Sequence, residues 1–294
     1  MAKRKSVKEP DPVEETAAGP SWLAVHYEPV SLFSLRSTLS MSKGGKTLFV
    51  PTPYAIKMAL IDACFRFHEP GEAREGALRL FDAIKSKKVR VRPPADCVVQ
   101  NTFVKIRQAE RAPEKDKSAP DDSPEVDEDL PDIEKKSVRG LYTSTIAYRE
   151  MVFFSGAMTL AIEVSGTAAS LQDELRQAAA HVNYFGKRGS FFQFIGTEDW
   201  DALPTGFTIG DSDSPTEIAR DTYGVSQFLD DFGPDLVKAK DGFERVSTFN
   251  AKPITMGKHR VLVQTLLPYR QVQATRNFTR FERRTSPSPS PNGG

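Results

Sequence analysis

The segment Asn183-Tyr184-Phe185-Gly186-Lys187-Arg188-Gly189-Ser190-Phe191-Phe192-Gln193-Phe194 sets two adjacent cations between two glycines, with aromatic residues on both sides. Glycine lets backbone N–H groups approach an anion closely, Lys and Arg supply charge, and aromatic rings stack on bases. That chemistry suits single-stranded RNA better than a small metabolite. The competing reading is a basic β-turn that leads into a buried aromatic strand. A second candidate is Lys258-His259. A His can act as general base on a ribose 2′-OH while a Lys stabilises the charge developing on phosphorus. As neighbours entering a strand, however, the two point to opposite faces.

Other motifs fall short. Gly44-Gly45-Lys46-Thr47 looks like the end of a phosphate-binding Walker loop, but Ser40 occupies the position of its first glycine and Leu48-Phe49-Val50-Pro51 replaces the helix. Arg188-Gly189 with Phe192-Gln193-Phe194 approaches the RNP1 pattern of RRM domains but is one residue short. None of His26, His68, His181 and His259 has a His, Cys or carboxylate at ligand spacing, so no metal is expected. No Ser-His-Asp set or paired carboxylates stand out. No catalytic residue and no cofactor are assigned.

The elements that must position these residues read as follows. Trp22–Tyr27 alternates as a first strand, with Leu23, Val25 and Tyr27 on one side and His26 on the other. Thr52 caps a helix with Pro53 at its first position, and Ile56, Ala59, Leu60, Ala63, Cys64 and Phe67 form its buried stripe. A second helix covers roughly residues 72–86. Val89–Arg92 and Val98–Arg107 read as strands. Ile146–Phe154 and Met158–Ser165 suggest a hairpin around Ser155-Gly156. Ser170 and Asp173 have the spacing of a capping box for a helix through Val182. Ser190–Ile195 and His259–Leu267 are further strands, and residues 198–244 carry no clear pattern.

The order predicts an α+β, ferredoxin-like (RRM-like) β-α-β-β-α-β domain over residues 21–196, with an acidic insertion at 109–137. Residues 197–284 form a C-terminal extension or small subdomain, and residues 1–20 and 285–294 are tails of disordered composition. The formal net charge is only +1, so global charge says nothing about partners. Its distribution does. Residues 109–137 hold eleven acidic against five basic side chains, while 85–107 and 258–284 each hold seven basic and one acidic. Two cysteines, Cys64 and Cys97, read as buried free thiols. The start of the chain lacks the pattern of a signal peptide and no apolar run is long enough for a bilayer, so a cytoplasmic protein without membrane partners is expected.

With these elements in order, the chain resembles the CRISPR-associated protein 5 family of the RAMP superfamily, a subunit of type I Cascade-like complexes. Three places carry the likeness: Val50-Pro51-Thr52-Pro53-Tyr54-Ala55-Ile56-Lys57-Met58-Ala59-Leu60; Ala147-Tyr148-Arg149-Glu150-Met151-Val152-Phe153-Phe154; and the helix Leu171–Val182 running into Tyr184–Ser190. Together they span roughly residues 22–195. The resemblance implies an antiviral-defence ribonucleoprotein subunit that holds the 5′ handle of CRISPR RNA. It also implies contacts with the backbone subunit and the large subunit, near the end where target DNA presents its protospacer-adjacent motif. A thumb-like projection would come from about residues 88–145. The RNA-contacting set is then Arg36, Lys43 and Lys46 in the first loop, Arg90, Arg92, Lys105 and Arg107, and Tyr184, Phe185, Gly186, Lys187, Arg188, Gly189 and Ser190. One branch of the family cuts precursor RNA with a Tyr and a Lys-His pair; here Lys258-His259 falls far later in the chain, so binding without catalysis is expected. The alternatives are a metal-independent endoribonuclease and a scaffold that docks a basic partner through its acidic insertion.

Overall fold

The computed structural model describes residues 21–37, 44–109, 142–210, 223–247 and 252–283. The acidic insertion, both tails and Lys43 lie outside the described residues.

A four-stranded sheet is the frame. β1 (Trp22–Pro29) lies between β8 (Met158–Glu163) and β9 (Phe192–Trp200), and β5 (Val89–Arg92) pairs with the outer side of β8. Every pairing in it is antiparallel, and β1 carries an irregularity between His26 and Tyr27. Leu23, Val25 and Tyr27 enter the core as their alternation requires, and the Tyr27 hydroxyl donates to Ala179 O at 2.6 Å. Between β1 and β5 come α1 (Pro53–Phe67) and α2 (Ala73–Ile84). Thr52 caps α1 as expected, its hydroxyl accepting from the Ala55 N–H at 3.1 Å. The buried face of α1 also holds Lys57, which the apolar pattern does not foresee. Its ammonium meets Asp231 at 2.8 Å and lies over the Phe232 ring.

α3 (Ala169–His181) joins β8 to β9. The capping box expected of Ser170 does not form: Ala168 is the cap, with no side-chain hydrogen bond, and Ser170 lies in the first turn. Gly166, at φ 70°, turns the chain early and starts the helix ahead of Ser170.

The expected hairpin around Ser155-Gly156 is also corrected. β7 (Tyr142–Phe154) pairs back to β6 (Asp96–Ala109), whereas β8 pairs with β1 and β5. Pro93-Pro94 and Ser155-Gly156 carry the two chains from one sheet into the other side by side, and Ser155 and Asp96 bond each other across the bend. β8 is buried over nearly its whole length, as suits an inner strand, and its two edges are taken by β1 and β5.

The β6–β7 ribbon belongs to a five-stranded sheet of order β13-β14-β6-β7-β3, with β13 (Tyr269–Ala274), β14 (Phe278–Arg283) and the short β3 (Gly44–Gly45). β2 (Leu35–Arg36) and β4 (Thr47–Leu48) pair in the first loop. The unpatterned region after β9 supplies β10 (Ile209–Gly210), β11 (Val225–Phe232), α4 (Pro234–Lys238) and α5 (Gly242–Val246). With β12 (Arg260–Leu267), the strands β10 and β11 form a three-stranded sheet of order β10-β12-β11. One apolar cluster runs through all of this, from Leu23 to Phe281.

Candidate nucleic-acid interface

Glycine geometry builds the basic loop. Gly186 and Gly189 have φ of 67° and 103°, a region closed to most side chains, and Ser190 N–H closes a turn onto Lys187 O. A bridge between Tyr184 and Phe191 pins the loop base. Lys187 and Arg188 are exposed, and among the described residues nothing accepts from the N–H groups of 186–189. Successive free N–H groups beside two cations are groups that suit an anion.

The rest of the motif has other duties. Phe185 is fully buried, edge-on to Tyr27 and Phe192, so it offers no stacking surface. Ser190 is buried and donates to Ser34 O. Tyr184 is half-buried under the Arg66 guanidinium, which also donates to His181 O.

Ser34 leads directly to Arg36, so the Gly loop and the first basic loop lie side by side. Arg36 pairs with Thr47 across β2–β4, which sets it beside Lys46, and both cations are exposed. Gly44 and Gly45 run parallel to Tyr148 and Arg149 of β7, and the Thr47 N–H donates to Glu150. This pairing replaces the helix that a Walker loop would need.

On the ribbon, Lys105 and Arg107 share a strand face with Phe103, and Tyr148 and Ile146 face them from β7. Phe103 and Ile146 are 74% and 72% exposed, and the Phe103 and Tyr148 rings meet edge-on at 5.4 Å. An exposed aromatic pair beside two cations is the stacking surface that Phe185 does not provide. The signal lay in the i, i+2, i+4 spacing of Phe103, Lys105 and Arg107. Nearer the ribbon base, a groove of about 500 Å³ opens between this sheet and the start of β11, lined by Lys46, Asn101, Glu150, Gln227, Phe228 and Gln271.

Arg90 and Arg92 lie apart from this surface, on the opposite edge strand of the four-stranded sheet. Arg92 is instead close to Arg283, a residue the sequence reading did not select. Gly206 lies against both, and Arg92 Nε and Arg283 Nε and Nη1 are buried without acceptors. Burial and then Arg92 lower the Arg283 pKa from its ordinary value. Two guanidinium groups held together with these three nitrogens unpaired form a second place that suits an anion.

Lys258 and His259 sit in the turn before β12, where His259 Nδ1 accepts from the Thr255 N–H at 3.1 Å. His26 Nδ1 bonds Thr159 Oγ1, and its other nitrogen lies 3.6 Å from Glu198. Among the described helices none is long and apolar enough to cross a membrane.

Neither family profiles nor curated proteins give a match to this sequence. Solved structures similar in outline include the following two. One is a CRISPR protein from Archaeoglobus fulgidus, with TM-score 0.38 and 9% identity over 90% of this chain and 92% of that one. The other is a CRISPR RNA-guided surveillance complex, with TM-score 0.32 and 14% identity over 83% and 88%. Likenesses this loose leave fold and role to be argued from the residues.

Proposed function

We propose that this chain is a CRISPR RNA-binding subunit of a type I Cascade-like surveillance complex. We read its four-stranded sheet as ferredoxin-like. The antiparallel order β5-β8-β1-β9, with helices after its first and third strands, supports that reading. The carrying observation is the loop Gly186–Gly189, with both glycines at positive φ and both cations exposed beside Arg36 and Lys46. In this reading the loop and the groove beside Lys46 take phosphates of the 5′ handle. Phe103 and Tyr148 stack bases or the side chains of the neighbouring backbone subunit. The large subunit and target DNA lie beyond the handle. The chain binds without cutting, since the His259 imidazole already serves its own turn.

The test is to sequence RNA that co-purifies with tagged protein expressed beside a CRISPR array and the neighbouring genes. Discrete species with one repeat-derived 5′ handle, lost from the Lys187→Ala/Arg188→Ala variant, are expected. Heterogeneous RNA, or a species the double variant retains, would remove the handle reading. Cleavage of precursor RNA in EDTA, abolished by His259→Ala or His26→Ala, would replace it with an endoribonuclease.

A further inference from the structure

α1 ends on a cysteine and a histidine one turn apart. Cys64 is buried in the last turn, and His68 caps the helix with its N–H on Cys64 O. Four-residue spacing sets both side chains on one face, and that face meets Glu174 of α3. The thiol sulfur, an imidazole nitrogen and a carboxylate oxygen all lie within 4.8 Å of one another. His68 Nε2 and Glu174 Oε1 are 2.9 Å apart, and the two side chains are only 18% and 13% exposed.

A second observation concerns the packing around these atoms. Gly76 occupies the first turn of α2, where glycine costs about 1 kcal/mol against alanine. A Cβ there would stand 2.4 Å from His68 Nε2 and 3.2 Å from Glu174 Oε1. The missing side chain therefore leaves room for the His68 imidazole to lie against α2 with its Nε2 on Glu174. Arg79, one turn further along α2, donates to the same Glu174 oxygen at 3.3 Å and orients the carboxylate, as outer-shell partners of metal ligands do.

We propose that Cys64, His68 and Glu174 form a zinc site that ties α1 to α3 under the first turn of α2. Thiolate, imidazole and carboxylate are ordinary zinc donors at about 2.0–2.3 Å, and a water on the partly open side completes four-coordination. On binding, the thiol releases its proton to solvent and the two anionic ligands balance the ion's charge. Without metal, burial and then the charge of Glu174 push the Cys64 thiol up to about 12, so it is protonated and unreactive at neutral pH. The sequence reading overlooked this group because it examined each His without following Cys64 one helical turn on.

The full chain is equilibrated with Zn²⁺, dialysed against metal-free buffer and assayed by elemental analysis. One equivalent per chain is expected, with a higher Tm. Co²⁺ in place of Zn²⁺ should give a thiolate-to-cobalt charge-transfer band in the near ultraviolet. Cys64→Ser and Glu174→Gln should remove the band and weaken Zn²⁺ binding by more than about 100-fold, beyond what loss of an outer-shell partner costs. Absence of the band in the wild-type protein overturns the proposal without recourse to any variant. So does stoichiometric Zn²⁺ retained by a folded Cys64→Ser chain.

Discussion

Lys187 and Arg188 project from a turn that uses neither cation to hold itself together. Their replacement by alanine should therefore leave the Tm unchanged while weakening single-stranded RNA binding by roughly tenfold or more, about 1.4 kcal/mol. The slope of log affinity against log salt should flatten by about 1.4 if each cation meets one phosphate; titrations at several salt concentrations read both. Phe103→Ala and Tyr148→Ala should cost about 1–3 kcal/mol of RNA affinity each if these rings stack on bases. Phe185→Ala should instead cost about 3–5 kcal/mol of folding stability, read by urea denaturation, because it empties a packed site. Residue types alone disclosed the cations, since charge in a Gly turn has nowhere to go but outward. They could not disclose that Phe185 turns inward, because an aromatic ring serves a core and a stacking platform equally well. That choice depends on Tyr27 and Phe192, which are remote in sequence or across the turn.

Elements were legible where local chemistry decides them. The Thr52 cap with Pro53 is one case, and Thr52→Ala should cost about 1 kcal/mol by thermal unfolding. The positive φ angles of Gly186 and Gly189 are another. Alanine at either position should cost about 1–2 kcal/mol and displace Lys187 and Arg188, lowering RNA affinity with the cations intact. A Gly186→Ala chain with unchanged affinity would separate loop shape from binding. Pairing was less legible. Two apolar runs flanking Ser155-Gly156 have the local signature of a hairpin, yet their partners are β6 on one side and β1 with β5 on the other. The partners lie far away in the sequence, and such long-range pairing leaves no mark on the local pattern. β13 and β14 escaped notice because most of β13 and both flanks of the turn are polar, as suits strands at a sheet's outer side.

Across the molecule, burial sets the response to alkali. Desolvation raises the pKa values of Tyr27 and Tyr269, of Cys97 and of Cys64, the last to about 12. In the unfolded chain cysteine titrates near 8.5 and tyrosine near 10. Above those values the unfolded state has lost protons that the folded state still holds, so stability falls as pH rises. Lys57, lowered first by burial, acts in the opposite sense below about pH 10.4 but is one group against five, since burial raises Tyr54 as well. Melting curves should be level from pH 7 to about 8.5 and drop beyond it. Asp231→Asn should cost about 3–5 kcal/mol in urea, because it leaves the Lys57 ammonium buried without its partner. That pair joins residues 57 and 231, a separation no periodicity in the sequence can report. The same holds for β14, which lies against β6 along Asp96–Gln100. During translation this pairing has a consequence. β6 emerges early and must wait, with one edge bare, until Phe278–Arg283 clears the ribosome. A nascent chain with an unpaired edge is open to association with other strands, so a slow ribosome near the end of the message should lower the yield of folded protein.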